Sequence, residues 1–455
     1  MNKLRTALIY TAMLAFSVGI FFLIQRYGRS LVASGPRTPF GTAATSGGDV
    51  LTHVLLALVV IIVAARALGA VFRWMNQPPV IGEMIAGILL GPSLLGRVAP
   101  GLSAHVFPSL VVPFLSVTSQ VGVILFMFLV GLELDTGLLR QRTRAPVVIS
   151  HASIIAPFLL GATLALWLYP SLSSQDVSFT QFALFIGVSM SVTAFPVLAR
   201  ILTDRGMQKS RIGTIALACA AVDDVTAWCL LAFVVSVARA QPERIFATLG
   251  LTAAFIIVIF VLVRPAALWL VHKQATNRLA AQSTFVIVCA ALLLAALATE
   301  RIGIHALFGA FLIGVVVPHD SSLAQDVRRK LEDAVVALLL PVFFVFTGLR
   351  TQIGLVHGSR NWLICALIIA VASLGKFGGS FVAARLTGLS WREAASVGIL
   401  MNTRGLMELI VLNVGLDLGV LSPALFAMFV LMALVTTFAT TPILQAVTRG
   451  RQPAP

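Results

Sequence analysis

Apolar residues in this chain gather into long unbroken runs, and short polar gaps separate one run from the next. A helix needs roughly 20 predominantly apolar residues to cross the hydrocarbon core of a bilayer. The runs predict about 14 helices, near residues 5–25, 51–73, 79–95, 110–132, 145–169, 180–202, 210–238, 245–270, 279–299, 302–318, 333–350, 361–386, 393–418 and 423–447. Inside lipid a backbone must satisfy its own hydrogen bonds, so repeated apolar runs of this length become spanning helices. The chain reads as an all-α polytopic membrane protein.

The first run stands apart. Asn2-Lys3-Leu4-Arg5 before it and Val32-Ala33-Ser34-Gly35 after it also fit a signal peptide, but the apolar stretch from Ala7 to Ile24 is long for one and favours a retained helix. Residues 1–50 are then an extra N-terminal helix and loop. The other runs divide into a six-helix repeat (51–238), a linker helix (239–278), a second six-helix repeat (279–447) and a short tail (448–455). Six helices plus one connecting helix invert the second set, which is the arrangement of inverted-repeat transporters.

The fifth helix of each set carries an interruption. In the first, Ser189-Met190-Ser191-Val192-Thr193-Ala194-Phe195 precedes Pro196, which lacks a backbone donor and clashes with the turn before it. In the second, Met401-Asn402-Thr403-Arg404-Gly405 puts polar residues and a glycine at mid-membrane depth. Unwound backbone is tolerated there only where it is buried in protein or lines a cavity. Each interruption alone has a plain structural explanation, a proline kink or a snorkelling arginine. Their matching positions favour paired broken helices.

Composition agrees with the class: 59% of residues are hydrophobic and 11% charged, with a mean hydropathy of +1.00. The net charge of +15 does not indicate nucleic acid, because the basic residues sit in the gaps between runs. With a cytoplasmic N-terminus, about 21 of the 32 Lys and Arg fall on the cytoplasmic side. That predicts both termini inside; the expected location is the plasma (inner) membrane of a bacterium. Cys219, Cys229, Cys289 and Cys365 lie singly in apolar segments and read as small core residues, without disulfides or metal.

The candidate chemistry lies within the runs. Asp223 and Asp224 are adjacent in the stretch from Ile212 to Val237, where one charged side chain costs about 2.5–3.5 kcal/mol at the helix centre. Two in succession read as an ion or proton site. Lys376 and Arg404 are also intramembrane, and Arg404 and Glu408 share a helix face at i, i+4. They either neutralise broken-helix ends, gate access or form a local salt bridge. Ser191 and Thr193 offer oxygens at the first break, unless they bond back to helix carbonyls. Glu83 reads as architectural. Glu133 and Asp135 are read as solvated or paired with Arg140 or Arg142. His305 and His319 are weak candidates for pH sensing.

Several strings carry a family resemblance: Gln77-Pro78-Pro79-Val80-Ile81-Gly82-Glu83, Gly87-Ile88-Leu89-Leu90-Gly91-Pro92, the stretch from Ser191 to Arg200, the stretch from His305 to Phe311, and Met401-Asn402-Thr403-Arg404-Gly405-Leu406-Met407-Glu408. Over roughly 51–447 the chain resembles the monovalent cation/proton antiporter superfamily, in particular the branch holding plant cation/proton exchangers and bacterial sodium/proton and potassium/proton antiporters. The resemblance implies a homodimer, with a dimerisation domain beside a mobile core that contains two crossed, discontinuous helices. It places the cation-binding carboxylate at Asp224, which would ligate Na+ or K+. Asp223 falls where relatives carry Asp or Asn, and Lys376 falls where Asp-Asp relatives carry its pairing lysine.

A carboxylate that binds either a cation or a proton, exposed alternately to the two sides, is sufficient for antiport. The expected partners are monovalent cations, protons and the lipid bilayer, with no cofactor and no nucleic acid. No G-x-G-x-x-G follows a strand-like run, so a nucleotide-binding domain in cis is not expected. A sodium-coupled solute symporter of the same crossed-helix architecture is the alternative, and the adjacent carboxylates with an intramembrane lysine favour antiport, expected to be electrogenic in the sense that more than one proton moves per cation.

Overall fold

Each apolar run becomes a helix, and the polar gaps become its ends. A computed structural model describes residues 3–28, 50–133, 144–207, 210–239, 245–276, 280–318 and 320–448. The helices are α1 (Lys3–Gly28), α2 (Val50–Trp74), α3 (Pro79–Leu90), the short α4 (Leu95–Val98) and α5 (Pro100–Val106), α6 (Val112–Glu133) and α7 (Arg144–Leu172). There follow α8 (Phe179–Ser191), α9 (Phe195–Asp204), α10 (Arg211–Arg239), α11 (Ile245–Val258), α12 (Arg264–Thr276), α13 (Ala280–Ile302) and α14 (Ala306–Val316). The chain ends with α15 (Ser322–Ala334), α16 (Leu340–Arg350), α17 (Gly358–Leu386), α18 (Trp391–Met401), α19 (Leu406–Asp417) and α20 (Pro423–Thr448). Single π-helical turns at Ile259–Val263 and Val335–Leu339 join α11 to α12 and α15 to α16.

Among the described residues, eleven helical spans are long and apolar enough to cross a membrane, and a twelfth is made by α18 with α19. The two remaining predicted runs are α1 and α14, the latter only 11 residues long. Several expected boundaries differ from those observed. The helix expected over 79–95 ends at Leu90, where Gly91 has extended backbone, and the helix expected from 333 begins at Ser322, capped by the Ser321 hydroxyl.

Both interruptions are present. Residues 192–194 are extended between α8 and α9, and α18 meets α19 at a bend of 42°. The two N-terminal half-helices start alike: Ser178 with Gln181 and Ser390 with Glu393 each form a capping box. Each half-helix is thus fixed at its outer end and released at mid-span.

The chain folds into two compact units, each drawn from separate stretches. The described residues within 1–42, 143–227 and 352–455 make one, and those within 43–142 and 228–351 make the other. In the first unit, Gly375 and Gly379 bring α17 onto the α7 backbone, where an added Cβ would lie 2.7 Å from Pro157 Cα and 2.5 Å from the Ala152 carbonyl. Helix α1 rests on the same unit through a Phe21–Phe158 ring contact and a Gln25 to Thr180 hydrogen bond of 2.8 Å. In the second unit, Ala57, Ile61, Val111, Leu115, Val342 and Val345 form a buried cluster.

Close backbone crossings also organise the second unit, where Gly87 of α3 faces Gly348 of α16 and Gly131 of α6 faces Gly314 of α14. A Cβ on Gly348 would sit 2.6 Å from both Gly87 Cα and the Met84 carbonyl. Overpacking of this kind costs about 1–3 kcal/mol. Gly348→Val is therefore expected to lower the apparent Tm in detergent. Gly250→Ala, where nothing lies within 4 Å, is expected not to lower it. Equal melting of the two variants would contradict this account of the crossing.

Candidate functional site

The site grows from helix ends that lie inside the apolar layer. The last carbonyls of a helix have no partner in the helix itself, and in lipid no water replaces one. In the first unit the final three carbonyls of α8 are each taken by a cationic side chain. Arg404 donates to Ser189 O at 3.0 Å through Nη1 and to Met190 O at 2.8 Å through Nη2. The Lys376 ammonium donates to Ser191 O. Positive charge at a helix C-terminus also complements the macrodipole.

The extended residues of the first break are stitched to the second. The Ala194 N–H donates to Thr403 O at 3.0 Å, and the Thr193 hydroxyl reaches Met401 O at 3.2 Å. Gly405 makes this crossing possible, because a Cβ there would lie 2.8 Å from Val197 Cγ2. On the other side, the Thr437 hydroxyl of α20 accepts the Arg404 N–H at 3.0 Å and donates to the Arg404 carbonyl at 2.7 Å. One side chain thereby serves both backbone groups of an unwound residue.

Asp223 and Asp224 project from α10 beside this crossing, and both are buried. Their surroundings differ. Asp223 Oδ1 accepts from Ser150 at 2.5 Å. Its Oδ2 accepts from Ser153 at 2.8 Å, Thr193 at 2.7 Å and Lys376 at 3.0 Å. Lys376 is itself fully buried, and its third contact is the Ser153 hydroxyl at 3.4 Å. Asp224 is 2% exposed, yet its Oδ1 has no hydrogen-bond partner among the described residues. The Phe195 amide, at the head of α9, faces its carboxylate.

Arg404 and Glu408 form a fully buried i, i+4 ion pair at 2.6 Å, with Glu408 in the first turn of α19. Asn402 lies in the second break, where its Oδ1 and the Thr403 hydroxyl are buried without hydrogen-bond partners among the described residues. The Ser191 hydroxyl donates to Gly187 O at 2.6 Å and to Ile154 O at 3.0 Å. It is committed to helix carbonyls, whereas Thr193 turns to Asp223. Among the described residues no group of three or more His, Cys, Asp or Glu side chains is placed to hold a metal ion.

Other sequence candidates lie elsewhere. Glu83 is on α3 of the second unit, in the field of Arg66 and Arg73. Glu133 pairs with Arg328 at 3.0 Å, not with Arg140 or Arg142; those two arginines and Asp135 lie outside the described residues, as does His319. His305 heads α14, where its Nδ1 accepts the Leu307 amide. The four cysteines are free thiols, and Cys229 is exposed where a core position was expected. Ser150, Ser153 and Thr437 were missed by sequence reasoning. The first two carry a signal, since they are two hydroxyls at i, i+3 on one face of an apolar helix. Thr437 is hidden among the threonines of α20.

Comparison with known proteins adds the lineage. The family model described as the transmembrane part of the sodium/hydrogen exchangers matches residues 49–449. The chain is 44% identical over 397 residues to the Na(+)/H(+) antiporter NhaS4 of Synechocystis, covering 87% of this chain and 97% of that protein. It is 39% identical over 399 residues to Cation/H(+) antiporter 18 of Arabidopsis thaliana and 34% identical over 406 residues to K(+)/H(+) antiporter 1 of Saccharomyces cerevisiae. Each of those matches covers 87% of this chain but only 49% and 46% of the respective relative, so the chain spans about half their length. The structure of the sodium proton antiporter MjNhaP1 from Methanocaldococcus jannaschii shares the fold, with a TM-score of 0.63 at 15% identity, over 87% of this chain and 97% of that one. On the extent of the family match and the identity to relatives, the chain belongs to the sodium/hydrogen exchanger family.

Proposed function

We propose that this protein exchanges a monovalent cation, Na+ or K+, for protons by alternating access, with Asp224 as the shared site. The observation that carries this reading is the contrast between two adjacent buried carboxylates, one saturated with donors and the other with an oxygen left over. A buried carboxylate oxygen without a donor is costly. Either a proton or a cation relieves the cost, and the two exclude one another.

The names of the relatives support the class of exchange, since they include Na+/H+ and K+/H+ antiporters. A bound cation needs several oxygens to replace its hydration shell. The Asp224 carboxylate supplies the charge, and the uncommitted oxygens of Asn402 and Thr403 are further candidates. The pairing of Asp223 with Lys376 is read as deciding how many protons move, and exchange is read as electrogenic, with more than one proton per cation. The same reading takes the protein as a homodimer in a bacterial inner membrane, with both termini cytoplasmic. The division 51–238, 239–278 and 279–447 is retained as the inverted-repeat reading.

Reconstitution with an interior pH dye tests the exchange. Sodium, potassium or lithium, added in turn, is expected to dissipate an imposed pH gradient, and Asp224→Asn is expected to reduce the response to that of protein-free vesicles. Failure of every cation, or wild-type transport by Asp224→Asn, contradicts the reading. With the membrane potential clamped, the exchange rate is expected to change with the potential, and a rate indifferent to it would contradict electrogenic exchange. Loss of activity in a Lys376 variant alone does not assign a transport role, because breaking a buried pair costs about 3–5 kcal/mol of stability.

A further inference from the structure

Two histidines meet away from the carboxylate site, in the second unit. His53 lies in the first turn of α2, and His105, 52 residues further on, lies near the end of the short α5. Their rings stand edge to face with centres 5.3 Å apart. His53 is half-buried and His105 exposed. Just beyond them in the chain, Val54 and Phe107 pack against the buried cluster that holds Ala57, Val111 and Leu115. Both backbones are therefore anchored, while the imidazoles sit at the rim. With the N-terminus cytoplasmic, as proposed above, α2 starts on the outer side and α5 joins α3 to α6 on that same side.

The contact between the two residues fixes a proton. His53 Nδ1 lies 3.0 Å from the His105 carbonyl oxygen. A carbonyl only accepts, so Nδ1 carries the hydrogen, and in the neutral ring Nε2 keeps its lone pair. Metal-ligating histidines commonly show this arrangement, with one ring nitrogen donating to a backbone carbonyl and the other turned to the ion. Here the carbonyl belongs to the second histidine, so one bond orients the first ring and ties it to the segment that carries the other. Two imidazoles on one tetrahedral ion, with Zn–N bonds of about 2.0–2.1 Å, have their ring centres about 5 Å apart. The observed spacing matches, and the exposed His105 ring has room to turn its lone pair toward that of His53.

We propose that His53 and His105 form a binding site for a divalent transition-metal ion that favours imidazole, zinc or copper(II), with water completing its coordination. Among the described residues no third His, Cys, Asp or Glu joins them, so the site is open and weaker than a closed four-ligand one. Alkali and alkaline-earth ions prefer oxygen ligands, which separates this site from the exchange at Asp224. A bound ion ties the start of α2 to the connection between α3 and α6.

The test is calorimetric titration of the purified, tag-free full chain with zinc chloride. Wild type is expected to bind one zinc ion per chain. His53→Asn keeps an amide donor for the His105 carbonyl but loses the ligating nitrogen, and His105→Asn removes the second ligand. Each change is expected to weaken binding by about tenfold or more, whereas His357→Asn, at an exposed histidine on the other unit, is expected to leave it unchanged. All three variants are expected to melt like wild type in EDTA, and zinc is expected to raise the Tm of wild type and His357→Asn only. Copper(II) on wild type is expected to give an electron paramagnetic resonance spectrum split by two imidazole nitrogens. No zinc binding by wild type overturns the proposal. So does binding undiminished in His53→Asn and His105→Asn, which marks adventitious uptake elsewhere. If one of these two variants fails to fold, the other decides. Binding is read without transport, so the outcome does not depend on the antiport reading.

Discussion

The constraint on which the structure depends is the fate of helix ends inside an apolar layer. A continuous helix hides its backbone polar groups, whereas a broken one exposes carbonyls on one side of the gap and amides on the other. The protein answers with buried charge. Arg404 and Lys376 take the last three carbonyls of α8, and Glu408 occupies the first turn of α19. Thr437 patches the Arg404 backbone, and Thr193 and Ala194 tie one break to the other. The polar groups that a membrane protein otherwise avoids are here the means by which two half-helices can stop at mid-span.

That arrangement places the two aspartates in unequal settings on one helix. Lys376 links them to the break, since the same ammonium holds a terminal carbonyl of α8 and an oxygen of Asp223. A change in charge at Lys376 or Asp223 is therefore felt by the backbone of the crossing. Asp224 lies outside this web, with the Phe195 amide at the head of α9 facing it and one oxygen without a partner among the described residues. On the proposed reading, structure and exchange are divided between neighbouring residues of the same type.

Much of the helical architecture was legible because a membrane span is written as a continuous apolar run, and both breaks were legible because proline and polar residues interrupt such runs. The capping boxes at Ser178 and Ser390 were legible in principle, as Ser-x-x-Gln and Ser-x-x-Glu before apolar stretches. The compact units were not, because each is assembled from stretches far apart in the chain. Nor were the partners of Asp223, since Ser150 lies 73 residues away and becomes a ligand of the carboxylate only when α7 packs beside α10. Thr193 was visible as an oxygen at the break, but whether it faced Asp223, Asp224 or a helix carbonyl depended on a side-chain direction that no spacing rule supplies.

In the proposed mechanism a cation and a proton compete for one carboxylate, that of Asp224. The most direct measurement of that competition is calorimetric titration of the purified wild-type protein with sodium or potassium at several pH values, in buffers of different ionisation enthalpy. Competition predicts that binding releases protons and that the apparent Kd weakens by up to about tenfold for each unit of acidification. A Kd that does not change with pH, with no proton released on binding, would contradict it.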